Sequence, residues 1–183
     1  MKCKFLLFSF ILLILFPISA LGQDNHHYFT LKPSLLFFFD DLKDEHPVGF
    51  YGEIVYGYNL NKNFALELGF GWFHDGSNYG EIKGEPVTFT VKVTYPIKNF
   101  EPFIGVGANV FIVQYKGKLN GVYVHDKDNV FGGHFLIGAE YNIKSNIFIG
   151  IEEKYILTNK AEFDGVEVSL HGIATIMRLG LRF

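Results

Sequence analysis

The stretch EPVTFTVKVTY (residues 85–95) decides the fold, because its side chains alternate strictly between two kinds. Successive side chains of a β-strand point to opposite faces. One face of such a strand would carry only bulky apolar residues, and the other only threonines and a lysine: Val87, Phe89, Val91, Val93 and Tyr95 against Thr88, Thr90, Lys92 and Thr94. The stretch therefore predicts a β-strand with one apolar and one polar face.

The same period of two recurs along the rest of the chain. Eight segments show it, and none of them has the period of a helix: 28–39, 48–58, 64–73, 85–95, 102–115, 130–141, 147–157 and 166–183. No linker or change of composition divides the series, and phenylalanine, tyrosine and glycine are abundant, with 21, 10 and 20 residues. These observations predict a single all-β domain.

The connections between the segments alternate in length. Three are short and rich in asparagine and lysine, and four are longer: 59–63, 96–101 and 142–146 against 40–47, 74–84, 116–129 and 158–165. Short turns at one end and longer loops at the other, joined by an even number of antiparallel strands, are typical of an up-and-down β-barrel.

Residue size indicates which face of this barrel is outside. The apolar face carries a large side chain at nearly every step, whereas many of the glycines fall on the polar face. An eight-stranded barrel has an interior just wide enough for its own side chains, so the glycine-rich polar face fits inside. Because a bulky apolar exterior requires lipid around it, the sequence predicts an eight-stranded antiparallel up-and-down transmembrane β-barrel rather than a soluble one.

The first residues have the features of a secretory leader. Lysines precede an apolar run over residues 5–16, and a small residue at Gly22 suits cleavage there. We therefore predict a signal peptide over residues 1–22 and a barrel domain over residues 23–183. The single cysteine, Cys3, lies in the leader, so the exported protein would be free of disulfides.

The end of the chain carries a second exported-protein feature. In GIATIMRLGLRF (172–183), alternate residues would face lipid: Ile173, Thr175, Met177, Leu179, Leu181 and Phe183. A terminal phenylalanine after such alternation resembles the C-terminal signal by which bacterial outer-membrane barrels are recognised for insertion. Aromatic residues also fall at strand ends on the short-turn side, where an interfacial girdle would lie: Tyr58, Tyr95, Tyr141 and Phe183.

Two segments, EPFIGVGANVFI (101–112) and GIATIMRLGLRF (172–183), resemble strands of the small eight-stranded outer-membrane barrels. This group includes the transmembrane domain of outer-membrane protein A, the opacity proteins and outer-membrane protein W. The resemblance implies a bacterial outer-membrane location, insertion by the barrel-insertion machinery, contact with outer-membrane lipid and lipopolysaccharide, and a monomer. The aromatic girdle places the short turns and both termini in the periplasm and the longer loops outside the cell.

The inward face would carry a nearly balanced set of charged side chains with one histidine: Lys32, Glu53, Glu67, Lys92, His134, Glu140, Glu152, Lys154, Arg178 and Arg182. Buried charges must be paired, so we expect an ion-pair network that closes the lumen. A closed lumen favours a structural or surface-interaction role, with an unidentified extracellular ligand. The alternative is a narrow channel for small or apolar solutes. For apolar solutes, Val166, Val168 and Leu170 would line a pocket above the membrane.

An enzymatic role is the third alternative, and the sequence argues against it. Glu167, Ser169 and His171 have the residue types for acyl transfer, but residues two apart on a strand are separated by about 6.5 to 7 Å. No histidine spacing indicates a metal site, and no glycine pattern precedes a helix as a nucleotide cofactor requires. A net charge of −3 argues against a nucleic-acid partner.

Overall fold

The computed structural model describes residues 26–39, 42–43, 46–77, 80–119 and 122–183. The predicted signal peptide, residues 1–22, and its cleavage site lie outside the described residues. The described residues form ten strands: β1 (His27–Phe38), β2 (Val48–Asn59), β3 (Phe64–Gly76), β4 (Gly80–Thr94), β5 (Phe100–Leu119), β6 (Val122–Lys144), β7 (Ile147–Thr158), β8 (Lys160–Phe163), β9 (Val166–Ser169) and β10 (Gly172–Arg182). In the described part of the chain, no helix is long and apolar enough to cross a membrane.

Eight of the strands form a closed antiparallel barrel in the order β1-β10-β7-β6-β5-β4-β3-β2. Each neighbour in this order is adjacent in sequence, except that β7 and β10 are separated by a small β8–β9 hairpin and that β1 and β10 close the ring. The predicted eight-stranded up-and-down barrel is therefore confirmed. We call the end of the barrel that includes residues 60–63 and 145–146 the short-turn end. The opposite end is the long-loop end.

The alternation of faces holds through the wall. Outward side chains such as Phe89 and Ile151 are 48% and 72% exposed, whereas inward ones such as Thr88 and Glu152 are buried. Inward glycines make room for large side chains across the narrow interior. A side chain at Gly57 would overlap the Tyr28 ring, and one at Gly180 would overlap the Phe148 ring.

Four strands are longer than the sequence pattern predicted. Strand structure continues through much of the predicted loops 74–84 and 116–129, so that β3 to β6 project beyond the rest of the wall. The reason is that the two faces exchange polarity there. Inward residues of this extension are apolar and buried, including Ile82, Val113 and Tyr115, while outward ones such as Lys83 are polar and exposed. A polar exterior made these strand segments resemble loops.

The predicted last strand, 166–183, is two elements in the structure. Residues 166–169 turn away from the wall and pair with Lys160–Phe163 as the β8–β9 hairpin, and the wall resumes at Gly172. The turn of this hairpin has φ of 49° at Asp164 and 82° at Gly165. Positive φ at both central residues is the geometry of a tight hairpin turn, for which Asp-Gly is a preferred sequence.

The seam between the first and last strands contains an irregularity. The β1–β10 ladder keeps one register but is interrupted between the Leu31–Leu179 pair and the Ser34–Ile176 pair. Pro33 lies in this gap, and proline has no backbone N–H to donate to a neighbouring strand. The opposite edge of Pro33 is regular, since it pairs with Gly52 on β2.

Candidate functional site

A cluster of eight charged side chains crosses the middle of the barrel lumen. None is more than 3% exposed, and seven of the barrel strands contribute them: Lys32, Glu53, Glu67, Lys92, Glu140, Glu152, Lys154 and Arg178. Four acids meet four bases, so the cluster is neutral when all are ionised. This balance matters because an unpaired charge in an interior of low dielectric is strongly destabilising.

Arg178 lies at the centre of this lumen network and contacts three carboxylates. Its Nη2 atom is 2.7 Å from Glu67 Oε1 and its Nε atom is 2.9 Å from Glu140 Oε1. Its Nη1 atom donates to Glu152 Oε2. The planar guanidinium, with its five donors, is suited to this arrangement in a way that a lysine ammonium is not.

Two lysines complete the pairing around Arg178. Lys32 Nζ is 3.3 Å from Glu67 and 3.0 Å from Glu152. Lys92 Nζ is 3.1 Å from Glu67 and 3.0 Å from Glu140. Each of the three carboxylates is therefore shared by at least two cations. Such a network is more rigid than a set of separate pairs, because moving one side chain disturbs several contacts.

Lys154 and Glu53 form the part of the network nearest the long-loop end. Lys154 Nζ is 2.6 Å from Glu53 Oε2, and the Thr88 hydroxyl donates to Glu53 Oε1 at 2.9 Å. The Tyr51 hydroxyl lies 3.4 Å from the same Lys154 nitrogen. On the other side of the network, the Tyr28 hydroxyl donates to Glu67 at 2.8 Å. Thr88 thus satisfies the Glu53 oxygen that Lys154 leaves open, whereas Tyr28 shares Glu67 Oε1 with Arg178 and Lys92.

The register of the strands explains why these long side chains fit. Nearly every charged residue of the network is paired across a strand boundary with glycine: Glu53 with Gly71, Glu67 with Gly57, Lys92 with Gly105, Glu140 and Arg178 with Gly150, and Glu152 with Gly138. A Cβ at Gly71 would lie 2.9 Å from Glu53 Cγ, and one at Gly150 would lie 3.2 Å from Glu140 Cγ. The space at Gly57, Gly105 and Gly138 is taken by the side chains of Tyr28, Leu136 and Phe103. The inward glycines are therefore part of the site.

Arg182 lies apart from the main network, nearer the short-turn end, and is 14% exposed at its side chain. Its Nη2 atom is 2.7 Å from Glu101 and 3.1 Å from Glu140, and its Nη1 atom donates to Asn142. Sequence reasoning missed Glu101. The signal was available, because the inward residues showed five bases against four acids, and one more acid was needed to balance them.

His134 is in the lumen but makes its hydrogen bonds with neutral groups. Its Nε2 atom accepts from the Thr90 hydroxyl at 2.8 Å, and its Nδ1–H donates to Asn109 Oδ1 at 2.6 Å. The neutral imidazole satisfies both contacts with one proton. His134 thus extends the polar lumen toward the long-loop end without adding charge to the network.

Above the network the lumen is apolar and is filled by the chain itself. The β8–β9 hairpin contributes Ala161, Phe163 and Val168 to a buried cluster that includes Phe111 and Tyr115 of the wall. Two of the residues predicted to line an apolar pocket, Val168 and Leu170, are buried in this cluster, and Val166 packs against it. We call this cluster the apolar cap.

Carboxylates tie the hairpin to the edge of β6. Asp126 Oδ2 accepts from the Asp164 N–H at 3.2 Å, and Asp128 Oδ2 accepts from the Glu162 N–H at 2.9 Å. Backbone hydrogen bonds from Lys127 and Asp164 lower the pKa of the Asp126 carboxyl, which lies in the extension, beyond the apolar exterior. The hairpin is therefore held by hydrogen bonds to these two carboxylates of β6 and by apolar packing in the cap.

The Glu-x-Ser-x-His pattern is distributed over this hairpin. Glu167 is exposed and forms an ion pair with Lys160 at 2.9 Å. His171 Nε2 is 2.9 Å from the carbonyl oxygen of Thr158, and Ser169 is buried. These contacts of Glu167 and His171 join β8, β9 and the end of β7. Among the described residues, no three His, Cys, Asp or Glu side chains are placed to hold a metal ion.

The predicted C-terminal insertion signal lies on the outer surface. Five of its members are on β10 with their side chains partly or fully exposed, and Phe183 follows the strand: Ile173, Thr175, Met177, Leu179, Leu181 and Phe183. Phe183 packs on His27 and Phe29 of β1, with ring centroids 6.0 and 5.5 Å apart. The C-terminal residue is thus packed against the first strand.

An apolar outer wall, a closed ring of eight antiparallel strands and a charged lumen define a small transmembrane β-barrel. Comparison with known families gives the same result. The model of the outer membrane protein beta-barrel domain matches residues 8–174, and the chain belongs to this family of bacterial outer-membrane proteins. Among proteins of curated function, none matches the sequence.

Three solved structures show the same fold. Neisserial surface protein A has a TM-score of 0.70 at 13% identity, with 86% of this chain and 97% of that chain covered. The outer membrane protein OprG of Pseudomonas aeruginosa has a TM-score of 0.66 at 14% identity, covering 88% and 98%. The N-terminal barrel domain of OprF from the same organism has a TM-score of 0.59 at 13% identity, covering 85% and 97%. At these identities the similarity concerns the fold.

Proposed function

We propose that this protein is a closed, non-enzymatic barrel of the outer membrane that acts through its structure or through contacts at the cell surface. The observation that carries the proposal is the lumen network, in which Arg178 joins Glu67, Glu140 and Glu152 across the barrel. Four acids and four bases neutralise one another there, so little drives an ion to enter. The apolar cap obstructs the same lumen a second time.

The distribution of aromatic side chains supports an orientation. Tyr58, Tyr95 and Tyr141 are exposed near the short-turn end, and Phe183 lies there as well. Aromatic residues favour the boundary between hydrocarbon and water. In the proposed orientation, the short-turn end and both termini are periplasmic, and the extension is extracellular. The signal peptide over residues 1–22 and the C-terminal signal on β10 belong to the same proposal, with export followed by insertion through the barrel-insertion machinery.

The test is single-channel conductance of the mature protein, folded from denaturant into planar bilayers at neutral pH. Folded protein is expected to give no discrete openings, with a general porin as the positive control. A variant in which residues 159–170 are replaced by a short Gly-Ser linker distinguishes the effect of the apolar cap from that of the lumen network. This variant is also expected to show no openings, because the lumen network remains. Reproducible openings that change on Lys92→Met would contradict the closed lumen.

A channel for apolar solutes is the second candidate, because the upper lumen is lined by apolar side chains. In the structure this space is occupied by Phe163, Val168 and Leu170, so transport requires the hairpin to move out. Flux of an apolar dye into vesicles should then be faster in the variant without residues 159–170 than in the wild type. Equal flux in the two proteins and in empty vesicles would remove this candidate.

A lipid-modifying enzyme is the third candidate. It requires Ser169 and His171 to act together, whereas the His171 ring bonds a backbone carbonyl. Mass spectrometry of lipopolysaccharide after incubation with the folded protein tests this candidate. We expect no change in acyl-chain content, and a change that disappears on Ser169→Ala would establish the enzyme.

A further inference from the structure

The outer wall of the extension changes from apolar to polar residues along its strands. The lower outward residues are large and apolar, and Trp72, Ile112 and Phe131 are 56%, 48% and 60% exposed. Farther along the strands, past Glu85 on β4 and Asn129 on β6, the outward residues are mostly basic: His74, Lys83, Lys116, His125 and Lys127, together with Gln114. We call these six residues the basic wall.

The register brings the basic wall into two short rows. His74, Lys83, Gln114 and Lys127 are cross-strand neighbours on β3 to β6. The row above contains Glu81, Lys116 and His125. Neighbouring strands are about 4.8 Å apart and successive outward residues about 6.5 to 7 Å apart. Three lysines therefore lie within the span of one phosphorylated sugar head group.

The acids on this face are too few to neutralise the bases. Glu81 Oε1 is 2.8 Å from Lys83 Nζ and 3.6 Å from His74 Nδ1, and the Lys83 hydrogen bond lowers the pKa of the Glu81 carboxyl. Glu85 is the other outward acid. Three lysines thus face two carboxylates, with two histidines beside them, whereas the whole chain has a net charge of −3 with histidine neutral. The basic wall is a positive patch on an acidic protein.

Two adjoining depressions follow this patch. One, of about 360 Å³, joins apolar Trp72 and Ile112 to His74, Lys83 and Lys127. The other, of about 240 Å³, lies among Glu81, Lys83, Gln114, Lys116 and His125. A continuous surface that is apolar below and cationic above matches an amphiphile whose acyl chains lie in the membrane and whose anionic groups lie just outside it.

We propose that the basic wall binds the phosphate groups of a phosphorylated glycolipid of the outer leaflet, the chemistry of lipopolysaccharide, while its acyl chains lie against Trp72 and Ile112. Lys83, Lys116 and Lys127 supply charge-assisted hydrogen bonds to phosphate oxygens. This inference rests on the proposed orientation, because only an extracellular extension meets the outer leaflet. It adds a specific lipid contact to the surface role.

Trp72 provides the measurement, because it is the only tryptophan and lines the lower depression. The mature protein is folded into phosphatidylcholine nanodiscs, and its emission is followed as purified lipid A is added. The variant Lys83→Gln/Lys116→Gln/Lys127→Gln is compared with Lys62→Gln/Lys98→Gln/Lys160→Gln, which removes the same charge elsewhere. We expect about tenfold weaker binding, or about 1.4 kcal/mol, only in the basic-wall variant.

Three outcomes would overturn the proposal. They are equal affinity of the two variants, equal affinity for dephosphorylated lipid A, and complete competition by inorganic phosphate, which would make the site a receptor for the free ion. Heat-modifiable gel mobility verifies folding, and single Lys127→Gln protein replaces the triple variant if that fails to fold. Conductance and protease access to the loops on intact cells are separate readouts, so failure of lipid binding is distinguishable from failure of the proposed function.

Discussion

Replacement of Arg178 by methionine should remove a large part of the stability of the barrel. The guanidinium is fully buried and touches Glu67, Glu140 and Glu152. Without it, Lys32, Lys92 and Arg182 are the cations left for Glu67, Glu140, Glu152 and the Arg182 partner Glu101, so one negative charge becomes uncompensated in the interior. Breaking a buried pair in this way typically costs about 3 to 5 kcal/mol. We expect a loss of that size in the free energy of unfolding.

Urea unfolding in phosphatidylcholine vesicles measures this loss, with Trp72 emission reporting on the lipid-facing surface. Lys160→Met is the matched control, because Lys160 forms an exposed pair with Glu167. That variant should lose less than about 1 kcal/mol. Adding Glu67→Gln to Arg178→Met should restore part of the stability, and a double-mutant cycle gives the coupling. A loss below about 1 kcal/mol for Arg178→Met would refute the account of the lumen.

Two further predictions concern other parts of the molecule. Glu153 lies on the lipid-facing surface, where the Thr175 hydroxyl donates to it at 3.0 Å. Because a carboxylate is disfavoured on this surface, Glu153→Leu should stabilise the barrel by about 1 to 2 kcal/mol in the same unfolding assay. The control Thr175→Val should be nearly neutral. The pKa of Asp126 is lowered by hydrogen bonds from the Lys127 and Asp164 amides. Its contribution to the stability of the hairpin is therefore present above the unfolded pKa of about 3.9 and is lost as pH falls through the lower pKa of the folded state. The protection factor of the Asp164 amide, which is the exchange rate corrected for its intrinsic pH dependence, should therefore fall at low pH in the wild type. The same fall in Asp126→Asn would contradict this role.

The transmembrane part of the fold was predictable because one physical constraint dominates it. Lipid outside and a narrow interior inside impose the same alternation on every strand, as residues 85–95 show. The extension was not predicted, since outside the membrane water favours the opposite pattern. At Ile82 and Lys83 the apolar residue is inside and the polar one outside. A search for alternation that allowed this exchange of polarity would have extended the strands.

The candidate site was predictable in its members but not in its pairing. The inward positions of Lys92 and Arg178 follow from period two alone. Their partners depend on the stagger between strands, which brings together residues far apart in sequence such as Glu67 and Arg178. The hairpin was missed for a different reason, because the Asp164-Gly165 turn signal was read as part of a loop.

The interrupted seam gives the lumen network a second role, that of holding the ring closed. The β1–β10 junction joins the first and last strands of the wall. Pro33 interrupts its backbone ladder at the level of Lys32 and Arg178, which lie on the two sides of the seam. These two side chains contact the same Glu152 carboxylate from neighbouring strands. Ion pairs therefore join the first and last strands of the wall at the level where their backbone ladder is interrupted.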